Sequence, residues 1–189
     1  MLRRVDFLVR TFNKNPTTKP GENILIKKDD VWRAAIADNP VETMTDGKQV
    51  FCVRVDTSIN AEIMIGFTPI ESFESNKATW FGHNGFVGAG ICLNTGNVHY
   101  PLNKNHNIVD ENISSKAKEA IAILWITDSG KTKKIQFIFD GHPSAIADVS
   151  DALKGDRLYP AICSVGVCHL TLLPIEQVKT RTEVINSLM

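Results

Sequence analysis

The stretch AIAILWITDSGKTKKIQFIFDGHP, residues 120–143, decides the fold. Its two apolar runs are rich in β-branched and aromatic residues, which suit a pleated, half-buried surface. Between them Asp128-Ser129-Gly130 is a tight-turn signal: Asp bonds the local backbone, and Gly tolerates the positive φ of a bulged hairpin. The stretch reads as antiparallel strands over Ile121–Thr127 and Thr132–Phe139, closed by another turn at Asp140-Gly141. After a loop, Arg157-Leu158-Tyr159-Pro160-Ala161-Ile162 opens a further strand.

Working outward, the same pattern repeats. Ile24-Leu25-Ile26 begins a strand, and Lys27-Lys28-Asp29-Asp30 reads as a turn. Val31–Ile36 fits either a strand or a short helix, and Asp38-Asn39-Pro40 breaks it. Gln49–Asp56 alternates, with Val50 and Cys52 on one side and Phe51, Val53 and Val55 on the other. Glu62–Thr68 is another strand, stopped by Pro69, and the polar Glu71–Lys77 segment reads as a loop. Strands over Gly88–Leu93 and Val98–Tyr100 flank an Asn94-Thr95-Gly96-Asn97 turn. Pro101–Lys118 reads as a loop holding one helical turn, and Ser144–Leu153 as a loop with another. Leu158–Val165 and Val167–Leu173 read as two strands around Ser164-Val165-Gly166. In the tail, Val178, Val184, Ile185 and Leu188 follow a short helical period. Short strands at close spacing with little helical periodicity indicate an all-β fold, a two-sheet antiparallel β-sandwich. The expected organisation is an extension over 1–23, the sandwich over 24–174 and a tail over 175–189.

Composition narrows the function. The chain has 189 residues, 43% hydrophobic and 22% charged, ordinary for one globular domain. Its 21 basic residues match 21 acidic ones, so no global field draws it to nucleic acid or an anionic membrane. No apolar run reaches the ~20 residues of a membrane-spanning helix. Cys52, Cys92, Cys163 and Cys168 form no C-x-x-C pair, which favours buried reduced thiols over zinc ligands. No metal site and no cofactor are expected. The spacing in Asp148-Val149-Ser150-Asp151 lacks the glycine and terminal glutamate of a calcium loop. Cys168 and His169 are adjacent on a strand and point to opposite faces, which argues against a nucleophile–base pair. No catalytic constellation stands out, and the expectation is a non-enzyme. The opening Met1–Phe12 carries Arg3, Arg4 and Arg10 and resembles a short mitochondrial presequence, against which Asp6 counts. The primary expectation is an intracellular, cytoplasmic protein.

The collinear order of these pieces resembles a SPRY domain, from roughly Trp32 to Pro174. Arg33-Ala34 resembles that fold's Val-Arg-Ala strand. Gly47-Lys48-Gln49-Val50-Phe51-Cys52-Val53 is similar to its Gly-x-x-Tyr-Phe-Glu-Val strand, and Ile63–Thr68 to the Ile-Gly-Val/Phe strand that follows. Ile121–Gly141 resembles its central strand pair, and Leu158-Tyr159-Pro160-Ala161 its Leu-Tyr-Pro strand. Cys52 stands where a glutamate is usual, and the closing Asn-Phe-Gly is absent, so the chain reads as a divergent member. The resemblance implies a protein-interaction module without enzymatic activity, binding a partner protein or peptide through loops at one end of the sandwich. On that reading the contact residues are Asp38 and Asn39 in the first variable loop, Phe73, and Trp80, Phe81, His83 and Asn84 in an aromatic, Gly-rich loop. Val165 and Gly166 join them from the loop between the last strands, where relatives hold a Val-Trp-Gly contact and this chain lacks the Trp. Large rigid aromatics with adaptable amides suit such a surface, although Trp80 and Phe81 equally suit the core. A lectin-like sandwich with Trp32, Trp80 or Trp125 stacked on sugars is the alternative reading. RNA binding through Asn103-Lys104-Asn105-His106 with Lys131, Lys133 and Lys134 is a further one; such lysines more often serve as solvated edge charges.

Overall fold

The computed structural model of the chain describes residues 7–8, 24–37, 48–71, 80–82, 87–100, 106–127, 130–155 and 157–173. Strand dominates. In chain order the strands are β1 (Phe7–Leu8), β2 (Ile24–Ala37), β3 (Lys48–Pro69), β4 (Ala89–Cys92), β5 (Asn97–His99) and β6 (His106–Asn107). A single helical turn, α1 (Glu111–Ser114), follows, with Asp110 at its N-cap accepting from the Asn112 amide at 2.7 Å. Then come β7 (Glu119–Thr127), β8 (Thr132–Phe139), β9 (His142–Pro143), β10 (Ala147–Asp148) and β11 (Leu158–Leu172).

All pairings between them are antiparallel, and the strands form one curled, 11-stranded sheet in the order β1-β2-β11-β3-β4-β5-β6, with β7 also paired to β3 and β8 beyond it. Strands from both ends of this path send side chains into one core. Ala35 of β2, Phe51 and Phe67 of β3, Ile91 of β4, Val98 of β5, Leu124 of β7, Phe137 of β8 and Ile162 of β11 are all at most 3% exposed within it. The sheet therefore closes on itself as a sandwich, with the long strands as its common wall. The inward set comes straight from the period of two: Phe51 and Val53 enter this core, while Val50 and Cys52 face outward into a smaller cluster.

Three readings of the sequence change. Lys27–Asp30 is strand, because β2 runs unbroken past it against Gly166, Val167 and Cys168 of β11. Gln49–Asp56 and Glu62–Thr68 are halves of the 22-residue β3. Leu158–Val165 and Val167–Leu173 are likewise halves of one strand, the 15-residue β11. In each case a polar or Gly-containing segment lies within a strand. Two register shifts between β3 and β11, at Val165/Val167 and at His169/Leu170, absorb the curvature of the sheet. Ser144–Leu153 contains β10, then a tight turn in which the Ala152 and Leu153 amides both bond the Val149 carbonyl. Lys133 is not a solvated edge charge: it is 4% exposed, and its ammonium donates to the Gly130 carbonyl at 2.6 Å. The four cysteines are buried reduced thiols. The expected tail helix lies outside the described residues.

The Asp140-Gly141 turn ties the central hairpin to what precedes it. Asp140 adopts φ 46°, and its carboxylate accepts from the Lys118 amide at 3.0 Å and the Glu119 amide at 2.8 Å. Asp140→Ala loses both charge-assisted bonds and an αL-tolerant residue, and should cost about 1–2 kcal/mol. Asp140→Asn keeps an acceptor and the αL tolerance, and should lose about half of that. Urea unfolding of the two variants checks the ordering.

Candidate partner-binding surface

The outer face of the β2-β11-β3-β4 wall carries an apolar cluster separate from the core. Ala34 and Ile36 come from β2, Tyr159, Ala161 and Cys163 from β11, Met64 from β3 and Cys92 from β4. A segment at residues 80–82 crosses it. Phe81 is its plug, 1% exposed. Glycines make the seat: a Cβ on Gly90 would stand 2.4 Å from the Phe81 ring, and one on Gly88 2.7 Å from it. Gly66 and Gly90 face each other across β3 and β4, and a Cβ on Gly66 would come within 2.0 Å of the Ala89 carbonyl oxygen. Thr68, fully buried, donates from Oγ1 to the Val87 carbonyl at 2.6 Å and fixes the chain where it re-enters β4. Phe81 is therefore a support beneath the surface and offers no ring to a partner.

Trp80, one residue earlier, is half-buried at the margin of the cluster. Its ring lies 5.2 Å from that of Trp32, tilted by 52°. This is a favourable aromatic geometry. Val165 of β11 lies opposite the 30–32 stretch of β2 that carries Trp32, between the Ser164–Arg33 and Gly166–Asp29 pairs. The structure thus brings Trp80 and Val165 to one face through Trp32. Val165-Gly166 is not an end loop, however. It is a bulge in mid-strand, where Gly166 takes φ 80° against Asn60 at φ 49°. Along this half of β11, Val165, Val167, His169 and Thr171 alternate outward, while Cys168, Leu170 and Leu172 are buried.

Val167 pairs with Ile59 of β3, and the two are 39% and 57% exposed. Sequence reasoning misses this apolar pair in mid-sheet. The period of two through Gly166 is the signal that places Val167 beside Val165. Ile59, an apolar residue in the gap between two expected strands, is a weaker signal. Asp38, Asn39, Phe73, His83 and Asn84 lie outside the described residues.

A polar group borders the apolar pair. Asp56 is the extra residue of the bulge opposite His169 and Leu170. Its carboxylate takes the Arg54 Nε–H at 2.6 Å and the Thr171 hydroxyl, with His169 Nε2 4.0 Å away. Burial acts to raise the Asp56 pKa, but the Thr171 and Arg54 hydrogen bonds and the Arg54 and His169 charges outweigh it and hold the carboxyl below its usual value. Cys168 is 1% exposed in the core while His169 faces outward, so they form no dyad. Burial pushes the Cys163 thiol far up, away from nucleophilic thiolate. Among the described residues no group of three or more His, Cys, Asp or Glu side chains is placed to hold a metal ion, and no helix is long and apolar enough to cross a membrane.

No protein-family model matches the sequence, and no curated protein matches it. Solved structures do match. The TRIM65 PSpry domain superposes with a TM-score of 0.59 at 10% identity, over 90% of each chain. A human SPRY domain gives 0.56 at 14% identity, over 79% of this chain and 90% of the other. This chain has the SPRY fold. The metal-free lectin I-B4 of Griffonia simplicifolia gives 0.44 at 13% identity, over 84% of this chain and 88% of that one. At such identities the likeness lies in the backbone, and the SPRY wall of this chain carries its own side chains: the Trp32–Trp80 pair, the glycine seat of Phe81 and the Ile59–Val167 pair.

Proposed function

We propose that this SPRY-fold chain is a non-catalytic interaction module, and that it takes an extended segment of a partner protein on the outer face around Trp32, Trp80 and Val165. The tilted, half-buried tryptophan pair carries this reading, with Val167 exposed further along the outward series of β11 and paired to the exposed Ile59 of β3. A half-buried tryptophan has its position already fixed by packing and keeps apolar surface to desolvate, which is the profile of a binding hot spot. Apolar exposure in mid-sheet, away from turns, marks an interaction face. A polar border of Arg54, Asp56, His169 and Thr171 supplies the wet rim that such faces carry.

The test is quantitative capture of partners by the wild type, Trp80→Ala and Trp32→Ala, each first shown to be folded. Loss of a hot-spot anchor worth about 2 kcal/mol raises Kd roughly 30-fold. If both variants fold and keep every wild-type partner at unchanged affinity, the binding face lies elsewhere. Binding to a glycan array that Trp80→Ala removes would move the proposal to a carbohydrate ligand on the same tryptophans.

A further inference from the structure

The outer face of β3 and β11 carries a charge pattern that is its own complement. Glu62 and Arg54 of β3 both point outward: Glu62 stands between the core residues Ala61 and Ile63, and Arg54 between Val53 and Val55, which face the core. Glu62 lies opposite Val165 of β11, and Arg54 opposite Thr171. These two rows sit three residues either side of Cys168, which pairs with Ser58. The two bulges set that spacing, for the eight steps from Arg54 to Glu62 match the six from Thr171 to Val165. Between the charged rows lie the exposed Ile59 and Val167 in one row and Thr57 with His169 in another.

Consider a second copy laid on this face, with a two-fold axis running between the two sheets and across the strands at the Cys168 row. It sets β3 over β3 and β11 over β11, and the row of Val165 meets the row of Thr171. Glu62 then meets Arg54 of the second copy, and Arg54 meets its Glu62, so one pair of residues supplies two ion pairs. Ile59 meets Thr57 with its methyl group, and Val167 meets the His169 ring. Facing sheets pack ~10 Å apart with their strands about 30° off parallel, a gap that Glu and Arg side chains span together.

Both charges are placed for this. The Arg54 guanidinium is oriented by its Nε bond to Asp56 at 2.6 Å and by Nη2 on Thr171 Oγ1 at 3.5 Å, and a guanidinium has further N–H donors for a second carboxylate. Thr171 donates its hydroxyl to Asp56 and takes up part of that charge. Glu62 is exposed, and no described residue forms an ion pair with it.

We propose that two copies of this chain pair through the outer face of β3 and β11, about a two-fold axis at Cys168, with Glu62 of each copy on Arg54 of the other. The face is narrow, which puts the dimer at the weak end of specific interfaces, with a micromolar Kd. This goes beyond the partner reading and stands without it, because the charged rows end at Val165 and the Phe81 cluster that Trp80 borders lies past them.

Sedimentation of the full chain over a concentration series tests this. The wild type should associate to a dimer. Glu62→Arg and Arg54→Glu, each first shown to be folded, should each raise Kd roughly tenfold or more, since a two-fold interface counts every change twice. An equimolar mixture of the two variants should regain wild-type association, because the native Arg54 of one chain meets the native Glu62 of the other and the two reversed positions attract. Ile59→Asp should weaken association with no rescue by either variant. A wild type that stays monomeric at about 100 μM overturns the proposal. So does unchanged association in Glu62→Arg, or a mixture that stays dissociated. Should Arg54→Glu fail to fold beside Asp56, Glu62→Arg and Ile59→Asp decide, and unchanged association in either overturns it. Loss of partner capture in Trp80→Ala bears on the other reading alone, and should leave the dimer intact.

Discussion

Phe81→Ala should lower the unfolding free energy by ~3–5 kcal/mol, the range for truncating a fully buried phenylalanine. Phe81 is 1% exposed and belongs to the cluster of Met64, Cys92, Tyr159 and Cys163. Its ring rests on Gly88 and Gly90, whose backbones leave no spare room beneath it. That seat cannot collapse to fill the void, because β3 and β4 are paired rigidly through Met64–Cys92, Ile65–Ile91 and Gly66–Gly90. A cavity that cannot relax puts the cost toward the upper end. On the proposed binding face the same substitution should also weaken partner capture, although Phe81 itself is buried: Trp80 is its chain neighbour, and its contact with Trp32 depends on where segment 80–82 sits. Phe81→Leu keeps most of the volume and should cost under about 1.5 kcal/mol. Equilibrium urea unfolding gives the energies, and binding measured below the transition gives the functional loss. A cost under about 1 kcal/mol for Phe81→Ala would show that the seat is loose, and would separate the tryptophan pair from the wall beneath it.

The hairpin was legible because its information is local. The apolar runs, the Asp-Ser-Gly turn signal and the Asp140-Gly141 turn lie within two dozen residues, and β8 spans Thr132–Phe139 as its β-branched and aromatic content indicates. The long strands were not legible as continuous. Lys27–Asp30, Thr57–Asn60 and Ser164–Gly166 have turn composition, and turn composition and bulge composition are the same chemistry: polar, β-breaking residues with an αL-tolerant Gly or Asn. What tells them apart is a partner strand on the other side, and the partners of β11 lie more than a hundred residues away at Asp29, Val55 and Thr57. The site divides the same way. Trp80 was visible as an aromatic beside glycines. Its pairing with Trp32 and the nearness of Trp32 to Val165 depend on the β2–β11 register, which no local pattern carries. Phe81 read equally well as surface and as core, and only the glycine seat on β3 and β4 decides for core.

Gly166→Ala should cost about 3 kcal/mol, from two separable sources. The first is conformational. Gly166 sits at φ 80°, where an L-residue with a Cβ is disfavoured by roughly 1–2 kcal/mol. The second is steric. The added Cβ would stand 2.4 Å from the Asn60 carbonyl oxygen and 2.8 Å from the Ala61 Cα, both backbone atoms that cannot rotate away. Relieving that contact means parting β11 from β3 at the bulge, an overpacking cost of about 1–3 kcal/mol. Gly141 separates the two contributions. It has φ 89°, and a Cβ added there would meet nothing within 4 Å, so Gly141→Ala carries the conformational cost alone. The difference between the two variants in urea unfolding is then the steric clamp at the bend. The clamp bears on the proposed binding face, because Gly166 is the residue at which the register between Val165 and Val167 shifts. The extra residue of that bulge lies on β3, where Asn60 and Ala61 stand opposite Gly166, so losing the bulge would slip β3 against β11 by one residue and turn Ile59 away from Val167. Gly166→Ala should therefore lose partner capture along with stability, whereas Gly141→Ala loses stability alone. Equal costs for the two alanines, with capture intact in both, would mean that β11 bends without being held against Asn60, and that the outward set at 165–171 owes nothing to the glycine.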